Sequence, residues 1–181
     1  MKTRKSIRLP NYDYSQSGEY FITICVNNRL NRLGNIFEGK SILSTEGKII
    51  EKWIIQLTEK FKDVLVENYI TMPNHIHLII EISLIKTEDS LNVELPEKNK
   101  TDYETWRLAR TKMLLPKIIN YLKTNSSIEI NRLNNETGNK FWQANYYERI
   151  IRNEKEYFEI SSYIENNPST WNEDRFNLSK P

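Results

Sequence analysis

The chain has 181 residues, 26 basic and 24 acidic side chains for a formal net charge of +2, and 38% hydrophobic against 28% charged residues. That length fits one domain with an insertion, and no apolar run approaches the ~18–20 residues that a membrane helix requires. A single cysteine, Cys25, excludes an internal disulfide, and near-balanced charge excludes reading a nucleic-acid partner from the totals alone.

Residues 1–18 form a basic arm in which Lys2, Arg4, Lys5 and Arg8 crowd the first eight positions without an acid. No apolar segment ending in small residues follows, so a secretory signal is not expected and the cytoplasm is the expected location. An arm of this kind either lies along a phosphate backbone or is a solvated terminus.

Tyr20 to Asn27 alternates and is rich in β-branched and aromatic residues, which predicts a strand. Cys25 lies inside it with no His or Asp neighbour in the sequence and reads as a small hydrophobe. Residues 27–34 read as a polar connection. Leu43 to Gly47 resembles a helix entry, and Ile49, Ile50, Trp53, Ile54 and Leu57 recur at helical spacing. Val64 to Met72 and His75 to Ile82 predict two strands of an antiparallel hairpin turned at Pro73-Asn74. Residues 83–102 are polar and charged and read as a flexible insertion. A helix is expected from Tyr103 to about Arg132, with Pro116 either kinking it or starting a new one. Residues 134–139 read as a loop and Tyr146 to Ile151 as a short strand. Asn153 is a helix N-cap with Glu156 completing a capping box, and the last helix spans Glu154 to about Asn166, ended by Pro168.

Strand, helix, strand, strand, helix, strand and a terminal helix make an α+β fold, the ferredoxin-like split βαβ arrangement: an antiparallel sheet with helices packed on one face, plus a C-terminal helix. The domain is expected over 19–168, with a tail over 169–181. The chain's only histidines, His75 and His77, are two apart on one strand, so both imidazoles leave the same face while Ile76 and Leu78 leave the other. Such a pair is either a two-armed metal clamp or a hydrogen-bonded pair in a core.

Several blocks together strongly resemble the REP-associated tyrosine transposases, single-tyrosine endonucleases of the histidine-hydrophobic-histidine (HUH) class. These are Ser6 to Pro10, Tyr12 to Tyr14, Tyr20 to Cys25, Met72-Pro-Asn-His-Ile-His77, Phe141 to Lys155, and Tyr163-Ile-Glu-Asn-Asn-Pro168 with Trp171 and Asp174. The resemblance implies that His75 and His77 hold one divalent cation. It also implies that Tyr163 attacks a scissile phosphodiester to leave a 5′-phosphotyrosyl intermediate, and that Asn167, one helical turn on, completes the metal site. The implied partner is single-stranded DNA folded as imperfect-palindrome hairpins, handled by a monomer or homodimer.

Residues four apart on a helix are neighbours, so Tyr163 and Asn167 share a face. Two imidazoles and an amide oxygen suit Mg²⁺ or Mn²⁺, with the nitrogen ligands favouring Mn²⁺. The phenol must lose a proton, to metal-bound water or Glu165, which the sequence leaves open. Tyr157, Tyr146 and Tyr147 are rival nucleophiles. DNA contacts are expected from Arg4, Arg8, Tyr12, Tyr14, Lys123, Trp142, Tyr146, Tyr147, Arg149 and Arg152, aromatic and basic groups able to stack on bases or meet phosphates. Trp142 and one of Tyr146 or Tyr147 could instead plug the sheet edge. Two other functions remain: a hairpin-binding protein that does not cut, and a zinc hydrolase needing a further ligand such as Asp102 or Glu81.

Overall fold

The structure is a computed structural model that describes residues 17–83 and 100–178, with backbone only for 100–113. Arg4, Arg8, Tyr12, Tyr14, Asp102 and most of the insertion therefore lie outside the described residues or side chains.

The elements in chain order are β1 (Gly18–Cys25), β2 (Gly34–Phe37), β3 (Lys40–Leu43), α1 (Thr45–Lys60), β4 (Val64–Met72), β5 (His75–Ile82), α2 (Lys100–Leu133), β6 (Tyr147–Ile151) and α3 (Glu154–Asn166). The main sheet has the order β4-β5-β1-β6 and its pairs are antiparallel. β5 lies between β1 and β4, which α1 joins, and β1 lies between β5 and β6, which α2 joins. These are two interleaved split βαβ units, as expected.

Ser44 caps α1 by accepting from the Gly47 amide, and Asn153 caps α3 by accepting from the Glu156 amide. The Glu156 carboxylate returns to the Arg152 amide and to Arg149, so the predicted capping box closes one residue early. α2 runs on through Pro116 instead of restarting there. A two-stranded sheet, β2–β3, occupies a stretch for which the sequence predicts no element. Its turn is Glu38-Gly39, both at positive φ (49° and 70°), the conformation that matches strand twist in a two-residue hairpin.

The strands sort side chains between two faces. Tyr20, Ile22 and Ile24 of β1 and Ile76, Leu78, Ile80 and Ile82 of β5 join α1 and α2 in the main core. On the other face Ile79 and Ile151 pack against Ile160 and Ile164 of α3. α1 and α2 cover one face, and α3 covers the face that carries the histidines.

Candidate active site

Both histidines are fully buried at the end of β5 next to the turn. Asn74 spends its amide NH₂ on the Phe176 and Arg29 carbonyls (2.9 and 3.2 Å), so its Oδ1 accepts from His75 Nδ1 at 2.8 Å. That fixes the proton on Nδ1 and leaves the Nε2 lone pair pointing inward. His77 Nδ1 lies 2.8 Å from Thr23 Oγ1, whose hydroxyl serves either tautomer. The two Nε2 atoms meet at 3.0 Å.

Burial is the main reason both imidazoles stay neutral. It pushes His75 down to about 3, helped by the cations Arg175 and Arg29, and pushes His77 well below its ordinary value, helped by neighbouring His75 against the opposing pull of Asp174. Neutral imidazole is the ligating form.

Tyr163, on α3, places its hydroxyl 3.3 Å from His77 Nε2, and its ring packs against His77 and edge-on to Phe21. Burial and then the Asp174 charge raise the phenol above its ordinary value, while the Asn167 amide and Arg175 oppose them. The phenol is therefore protonated at neutral pH and needs help to ionise. Asn167 caps α3 and is buried, giving its amide NH₂ to Asp174 Oδ2 at 3.2 Å and leaving its Oδ1 without a partner. Asp174 is also buried, and its other oxygen accepts from the Phe176 amide at 2.6 Å.

One ligand atom each from His75, His77 and Asp174 lies within 4.8 Å of the others. The 3.0 Å between the imidazole nitrogens is a hydrogen-bond distance, and it also brings both lone-pair positions close enough to serve one cation. The unpaired Asn167 oxygen is the kind of atom a cation or its water would satisfy.

Asp174 was not assigned a role from the sequence. It lies beyond the last helix, seven residues after Asn167, where no periodicity links it to the histidines. Cys25 packs as the small hydrophobe expected, but it does have a histidine neighbour: register sets it directly opposite His75, on the histidine face. Burial nevertheless raises its thiol to about 11, and it stays an unreactive filler.

Of the rival tyrosines, Tyr157 sits at the other end of α3 against Glu67, in a cleft also lined by Glu19 and Glu81. Glu81 is thus remote from the histidines, which removes it as a zinc ligand. Glu165 is exposed, and its charge acts on Tyr157, away from Tyr163. Tyr146 packs against the main core. Tyr147 is exposed on the histidine face, opposite Thr23, with its ring 6.0 Å from Phe176. Trp142 corrects the expectation of base stacking: it is 3% exposed and donates its indole N–H to Ser126, so no ring face is available. Lys123 donates to the Gln143 and Ala144 carbonyls at 2.7 and 2.9 Å. Arg149 reaches the cleft beside Tyr163, and Arg152 the cleft beside Tyr157.

A split βαβ sheet that sets two neutral imidazoles against a tyrosine from a final helix defines a ferredoxin-like protein with a histidine-pair and tyrosine site. The family model described as "Transposase IS200 like" matches residues 108–167, which contain Tyr163 and Asn167. An uncharacterized protein of Haemophilus influenzae is 34% identical over 178 residues, spanning 95% of this chain and 92% of its own. In fold the chain is similar to a REP-associated tyrosine transposase solved bound to a REP hairpin, with a TM-score of 0.50 and 21% identity over 91% of this chain and 73% of that one. The stretch of this chain that carries Tyr163 and Asn167 is thus similar to the IS200-like transposases.

Proposed function

We propose that the protein cuts and rejoins single-stranded DNA through Tyr163, at or beside hairpins. The observation that carries this is the approach of the Tyr163 hydroxyl to within 3.3 Å of His77 Nε2, where His75 Nε2 also converges. The hairpin in the similar solved structure supports that class of partner.

The Tyr163 oxygen attacks the phosphorus, the bond from phosphorus to the 3′ oxygen breaks, and a 5′-phosphotyrosyl link remains. The phenol gives up its proton, and the departing 3′ oxygen takes one up. One phosphodiester replaces another, so a 3′-hydroxyl attacking in reverse reseals the strand without an external energy source. His75, His77 and Asp174 would hold the metal, while Asn167 steadies the Asp174 carboxylate through its NH₂ and keeps its Oδ1 open to the cation or its water. A divalent cation bound there, Mg²⁺ or Mn²⁺, would act as a Lewis acid toward the phosphoryl oxygens as charge builds on them. Phe21 and the α3 contacts of Ile160 and Ile164 hold the phenol toward the histidines.

The test is a hairpin oligonucleotide incubated with Mn²⁺, followed by denaturing gels for a protease-sensitive adduct. Wild type should form it, Tyr163→Phe should lose it by at least ~10³-fold, and Asp174→Asn should raise the Mn²⁺ needed about 10- to 100-fold. Hairpin binding that persists in EDTA, with no adduct in either Mg²⁺ or Mn²⁺, would replace this reading with that of a binding protein.

A further inference from the structure

Beside Tyr163, on the side toward the sheet edge, lies a cleft of about 610 Å³ that borders the metal site, sharing Asn167 and Asp174 with it. Pockets for small ligands run to about 300–1,000 Å³, so one nucleotide fits with room for its backbone. Its floor is Phe21, half-buried between His77 (rings stacked, centroids 5.2 Å apart) and Tyr163 (6.0 Å, edge-on). One wall is Arg149 of β6, which pairs with Phe21 in register and so projects from the same face. The other is α3 with Glu159, Ile160 and Tyr163, and the end is closed by the tail, where Arg175 is the cation beside the carboxylates of Glu173 and Asp174.

The two arginines differ in what already engages them. Arg149 is in an ion pair with Glu156 at 2.6 Å. The Arg175 guanidinium lies over the Phe176 ring at 4.6 Å and the Tyr147 ring at 5.9 Å. Ring contacts of that kind use the charge and the flat face and consume none of the five N–H donors. An aromatic floor with a cation at its end is the chemistry that holds an unpaired base and its phosphate.

We infer that this cleft holds the nucleotide adjoining the scissile phosphodiester, with its base over Phe21 and its phosphate on Arg175. The inference rests on the reading of Tyr163 as nucleophile, and it adds a positioning role: the adjoining base fixes which phosphate reaches the Tyr163 oxygen. Phe21 also separates the base from His77, so stacking there leaves the imidazoles undisturbed.

Two measurements test it. In the first, hairpin oligonucleotides carry an abasic position at each nucleotide near the cut, and adduct formation is timed. One adjoining position should be sensitive by about 5- to 100-fold in wild type. In Phe21→Leu, which keeps an apolar contact but removes the stacking face, intact and abasic strands should react alike. The second needs no cleavage: deoxynucleoside 3′,5′-bisphosphates are titrated while the side-chain N–H resonances of Arg149 and Arg175 are followed by NMR. The Arg175 signal should shift, and Arg175→Gln should weaken binding about 10-fold. Adduct formation with no Phe21-dependent abasic position, or bisphosphates that leave Arg175 unmoved, would overturn the pocket while leaving the nucleophile intact. No adduct with any strand would instead remove the nucleophile reading, and the titration would still decide the pocket.

Discussion

Next to the turn the two faces of β5 are both buried, and by different means. Ile76, Leu78 and Ile80 are each 0% exposed among other apolar side chains. His75 and His77 are also 0% exposed, yet their neighbours are Asn74, Thr23, Asp174, Tyr163 and the ring of Phe176 at 4.7 Å. Burial on the first face is favourable by about 25 cal/mol per Å² of apolar surface. Burial on the second costs free energy unless every polar atom is paired, and there it is offset by a dense set of hydrogen bonds. The first face thus supplies folding energy, and the second spends part of it to hold neutral imidazoles in fixed orientation.

Adjacent substitutions on the two faces should separate these roles most strongly. Leu78→Ala should lower stability by ~2–5 kcal/mol in denaturant melts, with adduct formation per folded molecule close to wild type. His77→Gln, one residue earlier, should abolish the adduct by at least ~10³-fold while shifting stability far less. If Leu78→Ala removed activity from molecules that near-ultraviolet spectra show to be folded, the division between the faces would be wrong.

Acid should sharpen the contrast next. A histidine held neutral in the fold but free to protonate when unfolded adds stability above its ordinary pKa near 6.5, and that stability is lost as pH falls below it. For His75 the loss continues down to about 3. Each histidine should add a slope of up to ~1.4 kcal/mol per pH unit to the unfolding free energy in that window. The double variant His75→Gln, His77→Gln should flatten the slope between pH 6.5 and 4.5. An unchanged slope in that variant would mean that other groups carry the acid sensitivity.

The apolar face was the legible one. β4 and β5 match their predicted limits because β-branched runs flank a Pro-Asn turn, and α3 matches because Asn153 starts it and Pro168 ends it. The β2–β3 hairpin was missed because its strands have four residues each and its Glu-Gly turn is a weaker signal than Asn-Gly. The histidine face was legible only where chemistry sat at short spacing, as with His75 and His77. Asp174 and the proximity of Cys25 arise from tail packing and strand register, which no local pattern encodes. Trp142 shows the opposite limit, since an aromatic next to basic residues looks the same in sequence whether it stacks on a base or, as here, fills a core.

The finest comparison lies between two neighbours on β1. Thr23 and Ile24 are both buried, but the first faces His77 and the second the main core. Valine is close in size to threonine and lacks the hydroxyl, so Thr23→Val removes a single hydrogen bond, at a cost of about 1 kcal/mol in stability. It also leaves His77 Nδ1 without the group that orients the ring in either tautomer, so Mn²⁺ affinity measured by calorimetry should fall about 10-fold. Ile24→Val should cost a similar ~0.5–1.5 kcal/mol and leave Mn²⁺ affinity alone. Equal stability losses with unequal metal affinities would locate the effect in the orientation of one imidazole. Equal losses in both quantities would show that metal affinity follows general stability, and the two faces would then be energetically one.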